Sequence, residues 1–298
     1  MKRKFLTRDR REALDGFLFI SPVVLGILLF TAWPVLQSFY NSFTKFNVLS
    51  PAVWVGLDNY RDMLGDEDFW HSLSITAIYT VFSVPLGLIG GFLLALLLKR
   101  EVKGVGLFRT VFYLPVVVPV VAAGILWKQL FSPTFGFANE LLQWIGLEPY
   151  SWFSRPESVM PSLIIMGLWQ CGGAMIIWLA GFNGVPAHLY EAAIVDGASP
   201  FRRFWQITIP MVTPVIFFNL VMGLIGALQV FGQVMVTTAG GPLNASNFFM
   251  LLIYNKAFAS LQMGYASALA WILFAIILVL TVLVFKTSKS WVYYEGDR

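Results

Sequence analysis

Residues 72–98 read SLSITAIYTVFSVPLGLIGGFLLALLL, a run without one charged side chain. An apolar stretch of about 18 residues or more is long enough to cross a bilayer as a helix, and this run exceeds that length. Five further runs of the same kind surround it: Gly16–Ser42 before it, and Thr110–Trp127, Val159–Phe182, Ile207–Val234 and Gly264–Phe285 after it. The composition agrees, since 58% of the 298 residues are hydrophobic and only 12% are charged, against roughly 25% charged in a soluble domain. The expected fold is an all-α polytopic membrane protein with six transmembrane helices. Pro34, Pro85, Pro115, Pro119 and Pro214 fall inside the runs, where neighbouring helices can satisfy the freed backbone groups, so they predict kinks rather than loops. The turn-rich string Thr237–Asn244 ends the fifth run and faces water.

Lys and Arg set the orientation. The N-terminus carries Lys2, Arg3, Lys4, Arg8, Arg10 and Arg11, the second connection Lys99, Arg100, Lys103 and Arg109, the fourth Arg202 and Arg203, and the C-terminus Lys286, Lys289 and Arg298. Together these make 15 of the 20 basic residues. Only Lys45, Arg61, Lys128, Arg155 and Lys256 fall on the other side, so both termini are expected in the cytoplasm. The other side is richer in aromatics that suit an interface, among them Trp54, Tyr60, Trp70, Trp144, Tyr150 and Trp152. The first apolar run is too long for a signal-peptide core and lacks a cleavage site, so it reads as a retained anchor. This divides the chain into a cytoplasmic tail at 1–15, a membrane domain at 16–285 with a cytoplasmic loop at 183–210, and a cytoplasmic tail at 286–298.

Several chemistries are excluded. All sixteen carboxylates lie outside the six runs, so no site for coupling to protons or sodium is visible. No Gly-x-x-x-x-Gly-Lys-Ser/Thr phosphate loop occurs. Cys171, His71 and His188 are too few for a disulfide framework or a metal cluster, and they do not make an enzyme nucleophile with its base. The net charge of +4 sits between apolar runs rather than on one basic face, which excludes nucleic acid as a partner. The chain is expected to be no enzyme and to need no cofactor.

The fourth connection is the most informative loop. Pro186 suits a first helical position, Gly197 a left-handed residue just past a helix, and Ser199-Pro200 an N-cap followed by proline. A short helix, a tight turn and a second short helix follow. Leu189, Ala192, Ala193 and Asp196 recur at spacings of three and four and share one face. A plain helical hairpin lying on the lipid headgroups fits these residues, and so does a docking element.

The string Glu191-Ala192-Ala193, then Gly197, then Ile207-Thr208-Ile209-Pro210 resembles the "EAA" coupling motif of permease subunits of binding-protein-dependent ABC importers. The likeness extends through Gly56-Leu57-Asp58-Asn59-Tyr60, Leu114-Pro115 with Pro119, Thr238-Ala239-Gly240-Gly241-Pro242 and Gly264-Tyr265-Ala266-Ser267-Ala268. Together these resemble sugar permeases of the MalF/UgpA type, with a MetI/MalF-like fold, though with no large inserted external domain. The resemblance implies a bacterial or archaeal cell membrane, a cytoplasmic ATPase dimer, a second homologous permease and an extracytoplasmic solute-binding protein. The binding protein would dock around Phe46 to Asp68, Phe131 to Glu157 and Thr237 to Asn247. Glu191, Ala192, Ala193, Asp196, Gly197, Ile209 and Pro210 would carry the ATPase coupling.

A substrate path can be sought among polar residues inside the runs. With 100° per residue and Asn219 as origin, Gly226 falls near −20°, Gln233 near −40° and Gln229 near −80°, one sector of about 80°. Amides there either glue helices together or offer donors and acceptors to a sugar's hydroxyls. Trp169-Gln170-Cys171-Gly172-Gly173 in the fourth run adds an aromatic and an amide beside small residues, which suit either packing or substrate contact. A carbohydrate is the expected substrate. The alternatives are an ABC permease for a glycerol phosphodiester, a polyamine or an amino acid, and an autonomous channel or carrier.

Overall fold

The computed structural model describes residues 8–100 and 102–293, with nothing stated of the side chains of 8–11. Lys2, Arg3, Lys4 and Arg298, and with them much of the two expected tails, lie outside the described residues. The chain divides into two compact units, Met1–Gly65 with Asn255–Trp271, and Asp66–Tyr254 with Ile272–Arg298.

In the first unit, α1 (Arg8–Ile27) runs through one π turn (Leu28–Ala32) into α2 (Trp33–Ser42), so the helix starts well before Gly16. Its apolar side chains are uncovered, Phe19 being 86% exposed, as a helix bathed in lipid rather than water allows. Beyond α2, the two-residue strands β1 (Thr44–Lys45) and β2 (Val53–Trp54) pair antiparallel. Next, α3 (Asp58–Gly65) explains part of the motif string around Asn59. The Asn59 amide donates to the Ser42 and Thr44 carbonyls at 2.8 and 2.9 Å, and the Tyr60 hydroxyl to Ser42 Oγ at 2.8 Å. The first of these satisfies the Ser42 carbonyl, which the end of α2 leaves without a helical partner. Gly264 serves the same unit, because a Cβ there would collide with the Thr44 carbonyl oxygen. Its N–H donates to the Phe46 carbonyl at 3.1 Å.

The second unit is organised on α4 (Glu67–Leu98), a helix of about 48 Å at 1.5 Å per residue. Asp66 caps its start, and Arg109 donates twice to the Leu98 carbonyl at its end. Pro85 sits within it without breaking it. Then come α5 (Val105–Val117), α6 (Val120–Leu130), α7 (Phe137–Trp144), α8 (Pro156–Leu168) and α9 (Gly172–Asn183). A connecting hairpin holds α10 (Ala187–Val195), α11 (Pro200–Arg203) and α12 (Ile209–Met211), and after it come α13 (Thr213–Leu228), α14 (Gly232–Thr237) and α15 (Phe249–Tyr254), the last continuing as a π turn, Asn255–Ala259. The final helix, α16 (Met263–Ser288), begins among residues of the first unit and ends among those of the second.

Helix α4 packs against α8, α9, α13 and α15. The Phe249 N–H donates to the buried Thr76 hydroxyl at 2.9 Å, seating α15. One apolar core gathers Tyr79, Val159, Leu163, Val234, Phe248 and Leu251; a second gathers Ala95, Met175, Trp178, Phe182 and Val212.

Among the described residues four stretches are long and apolar enough to cross a membrane, namely Glu12–Ser42, Glu67–Leu98, Thr213–Thr237 and Met263–Ser288; the count is six when each of two bent pairs forms one span. The third and fourth expected spans are those pairs. At Val118-Pro119 the chain turns by 100° between α5 and α6, far beyond a kink. Proline removes a backbone donor and pushes the preceding residue out of helical geometry, and Val118 is accordingly extended. The 45° bend between α8 and α9 falls where α5 comes close, since a Cβ on Gly172 would strike the Phe112 carbonyl. The fifth span starts at Thr213, later than Ile207, and is interrupted at Gln229–Phe231.

Candidate functional site

Two places combine unusual chemistry with exposure. The first is the hairpin between α9 and α13. Its first arm, α10, spans Ala187–Val195, with Pro186 at the N-cap, one residue before the expected first helical position. Gly197 has φ +71. Its N–H donates to the Ile194 carbonyl at 3.0 Å and that of Ala198 to Ala193 at 2.9 Å, the pair of bonds that closes a Schellman turn. Ser199 then caps α11 (Pro200–Arg203), its hydroxyl accepting from the Arg202 N–H at 3.3 Å. The second arm is longer than expected. It continues through a π turn (Phe204–Thr208) into α12 (Ile209–Met211).

The two arms are joined by one hydrogen bond of 2.9 Å between the Tyr190 and Thr208 hydroxyls. Lys99, just past the end of α4, holds its ammonium 5.3 Å from the centre of the Phe182 ring and 5.7 Å from that of Tyr190. Such stacking of a cation on rings is attractive, while partial burial pushes the Lys99 pKa down. The hairpin is therefore tied to the ends of α4 and α9. Its outer surface is bare: Glu191, Ala192, Asp196 and Gly197 are exposed, and Ala193, Ile209 and Pro210 are partly covered. Val195 at 87% exposure and Phe201 at 73% add apolar area beside the Glu191 carboxylate.

The second place is a cavity of about 450 Å³ walled by α4, α8, α9, α13 and α14. Among the expected residues Gln170, Asn219 and Gln233 line it, together with Gly226. Gln233, nearly buried, donates its amide to the Tyr79 hydroxyl at 3.1 Å. Asn219 donates to the Val215 carbonyl of its own helix at 2.9 Å, while Gln170 is exposed. No Asp, Glu, Lys, Arg or His lines the space among the described residues.

Gln229 and Trp169 are placed elsewhere. The single helical phase behind Gln229 does not hold past Leu228, so that side chain sits exposed in the break before α14 and outside the lining. The Trp169 ring packs edge-on against Trp127, 5.9 Å between centres, and does not line the cavity. Conversely, Tyr79, Ser83 and Gly87 line it from one face of α4 and had not been singled out. Their spacing of four was the available signal. Gly167 completes the wall, since a Cβ there would come within 2.8 Å of the Tyr79 hydroxyl.

Residues 83–291 match the family described as binding-protein-dependent transport system inner membrane component. The chain is 40% identical over 294 residues to a probable ABC transporter permease protein, YesP, of Bacillus subtilis, covering 97% of this chain and 95% of that one. It is 34% identical to the trehalose/maltose transport system permease protein MalF of Thermococcus litoralis, over 94% and 95% of the two chains. Among solved structures, a bacterial ABC transporter involved in the import of the acidic polysaccharide alginate superposes with a TM-score of 0.84, at 24% identity over 95% of this chain and 97% of that one, a likeness of fold.

Proposed function

Because this chain belongs to the binding-protein-dependent transport system inner membrane components, and so is a permease of an ABC importer rather than an enzyme, we propose that it forms half of the membrane passage for a carbohydrate. The observation that carries this is the uncharged cavity. Three amides and a phenol offer both donors and acceptors there, matching a polyhydroxylated neutral surface better than an ion. Each such bond contributes only about 0.5–1.5 kcal/mol net, which suits a site that must release its cargo. A curated relative named for trehalose and maltose supports the same class of substrate.

In this reading a solute-binding protein delivers the sugar from outside, and a second homologous permease closes the other half of the passage. An ATPase dimer docks on the bare face of the hairpin, at Glu191, Ala192, Ala193, Asp196 and Gly197, with Ile209 and Pro210 at the root of the second arm. The chain has no phosphate loop of its own, so the driving force is borrowed. ATPase closure displaces α10. The Tyr190–Thr208 bond and the Lys99 ammonium carry that displacement to the ends of α4 and α9, two of the helices that wall the cavity.

The amides have one competing use, as glue between or within helices, and the bonds of Gln233 and Asn219 favour it. Transport selectivity among sugars and thermal stability of the complex, measured together in Gln170→Leu and Gln233→Leu, separate the two. Altered selectivity is expected. Lower stability with unaltered selectivity in both variants would contradict a substrate role.

A further inference from the structure

Another cavity of the second unit, about 460 Å³, is lined mostly by residues of the segments 131–157 and 237–247, where the solute-binding protein is expected to dock. It opens between the last turn of α6, the loop that follows α6, and the end of α14. Its chemistry differs from that of the first cavity. Lys128 and Gln129 line it beside Ser154, Thr238 and the rings of Phe131 and Phe153, and no carboxylate does among the described residues. Neither the Lys128 ammonium nor the Gln129 side-chain amide has a hydrogen-bond or ion-pair partner among the described residues. The cation is therefore available to something that is not part of this unit.

The walls are built firmly. The buried Asn139 amide donates to the Tyr150 carbonyl at 3.1 Å, and its oxygen accepts from the Tyr150 N–H at 3.0 Å and the Trp152 indole at 2.7 Å. Trp152 in turn stacks on Phe131 with ring centres 4.0 Å apart. On the opposite wall the Ser246 hydroxyl donates to the Gly241 carbonyl at 2.6 Å and bonds the Thr238 hydroxyl at 2.7 Å. Short helix α14 links the cavities. Gln233 lines the first and Thr237 the second, and four residues of helix rise about 6 Å, comparable with the length of one hexose unit.

We propose that this second cavity is an outer vestibule that receives an acidic sugar unit, Lys128 facing its carboxylate, while a neutral unit of the same oligosaccharide occupies the amide cavity. This rests on the carbohydrate reading above and extends it to a singly anionic substrate. A single ammonium, without an arginine fork or a second cation, suits one carboxylate better than a phosphate dianion. Apolar rings beside hydroxyls and an amide suit the faces and edges of a sugar ring. Lys128 has an ordinary role to set against this, since a cation in the last turn of α6 also favours the helix dipole.

The test compares cellobiouronic acid with cellobiose, which differ in one carboxylate, by saturation-transfer NMR titration of the full chain with its co-purified partners in lipid nanodiscs. At low salt the acid is expected to bind about threefold to fivefold more tightly, the upper part of the range of an exposed ion pair. Roughly 0.5 M salt should shrink that preference. Lys128→Gln should abolish it by weakening the acid alone, with the cellobiose affinity and the thermal midpoint unchanged, and Lys128→Arg should keep it. Equal affinities for the two sugars in the wild type, or a preference that survives Lys128→Gln, would overturn the vestibule and leave the amide cavity standing. A Lys128→Gln variant that loses thermal stability and affinity for both sugars alike would assign Lys128 to the helix dipole and overturn it too. Binding of neither sugar would overturn this proposal together with the reading it rests on.

Discussion

Tyr79 and Gln233 are 154 positions apart in the chain and share one hydrogen bond. Tyr79→Phe removes the acceptor and leaves a nearly buried amide without its partner, a loss on the order of 1–3 kcal/mol. A lower thermal midpoint with the helical content kept is the expected result. Gly197→Val forces a branched side chain into φ +71, where left-handed geometry costs about 1–2 kcal/mol. ATPase association should fall in a pull-down while the sugar affinity of the binding protein stays as it was. Gly197 was legible because few residues other than glycine close a helix in this way. The amides Gln170, Asn219 and Gln233 were legible because polar side chains stand out in an apolar run. Tyr79 was not, since a tyrosine inside a span reads equally as packing, and only the fold brings Gly167 and Gln233 to its hydroxyl.

At the scale of elements, hydropathy located all six runs and could not locate their breaks. Pro85 and Pro119 show why. The first lies within a continuous helix, whereas the second follows an extended Val118 and a 100° turn. Local sequence offers a proline in both cases, and the packing around it decides the outcome. The bend at Trp169–Cys171 is similar, because it depends on the close approach of the α5 backbone to Gly172. Gly172→Ala should therefore force a backbone shift, at a cost on the order of 1–3 kcal/mol, read as a lower unfolding temperature of the purified protein. The break at Gln229–Phe231 likewise takes Gln229 out of the phase that one unbroken helix would give it, while Asn219, Gly226 and Gln233 still line one cavity. Asn139→Ala is the corresponding test of the outer loop. It should loosen the Tyr150 and Trp152 anchors and raise protease sensitivity between residues 131 and 155, with α4 and α13 unaffected.

For the whole molecule, the Lys/Arg distribution predicts that the α10 hairpin lies in the cytoplasm and the α6–α8 loop outside. Single cysteines at Ile145 or Ala245 should react with an impermeant reagent added from outside, and those at Val105 or Val195 should not. Labelling at Val195 would reverse the orientation and with it the ATPase assignment. The central claim is that this chain moves sugar only with borrowed ATP energy. Uptake of a labelled sugar into proteoliposomes tests it most directly, comparing this chain alone with the chain reconstituted with its partner permease, ATPase and binding protein. Uptake should require the complete set and ATP, and should be lost in Gly197→Val; sugar flux through this chain alone, without ATP, would contradict the account.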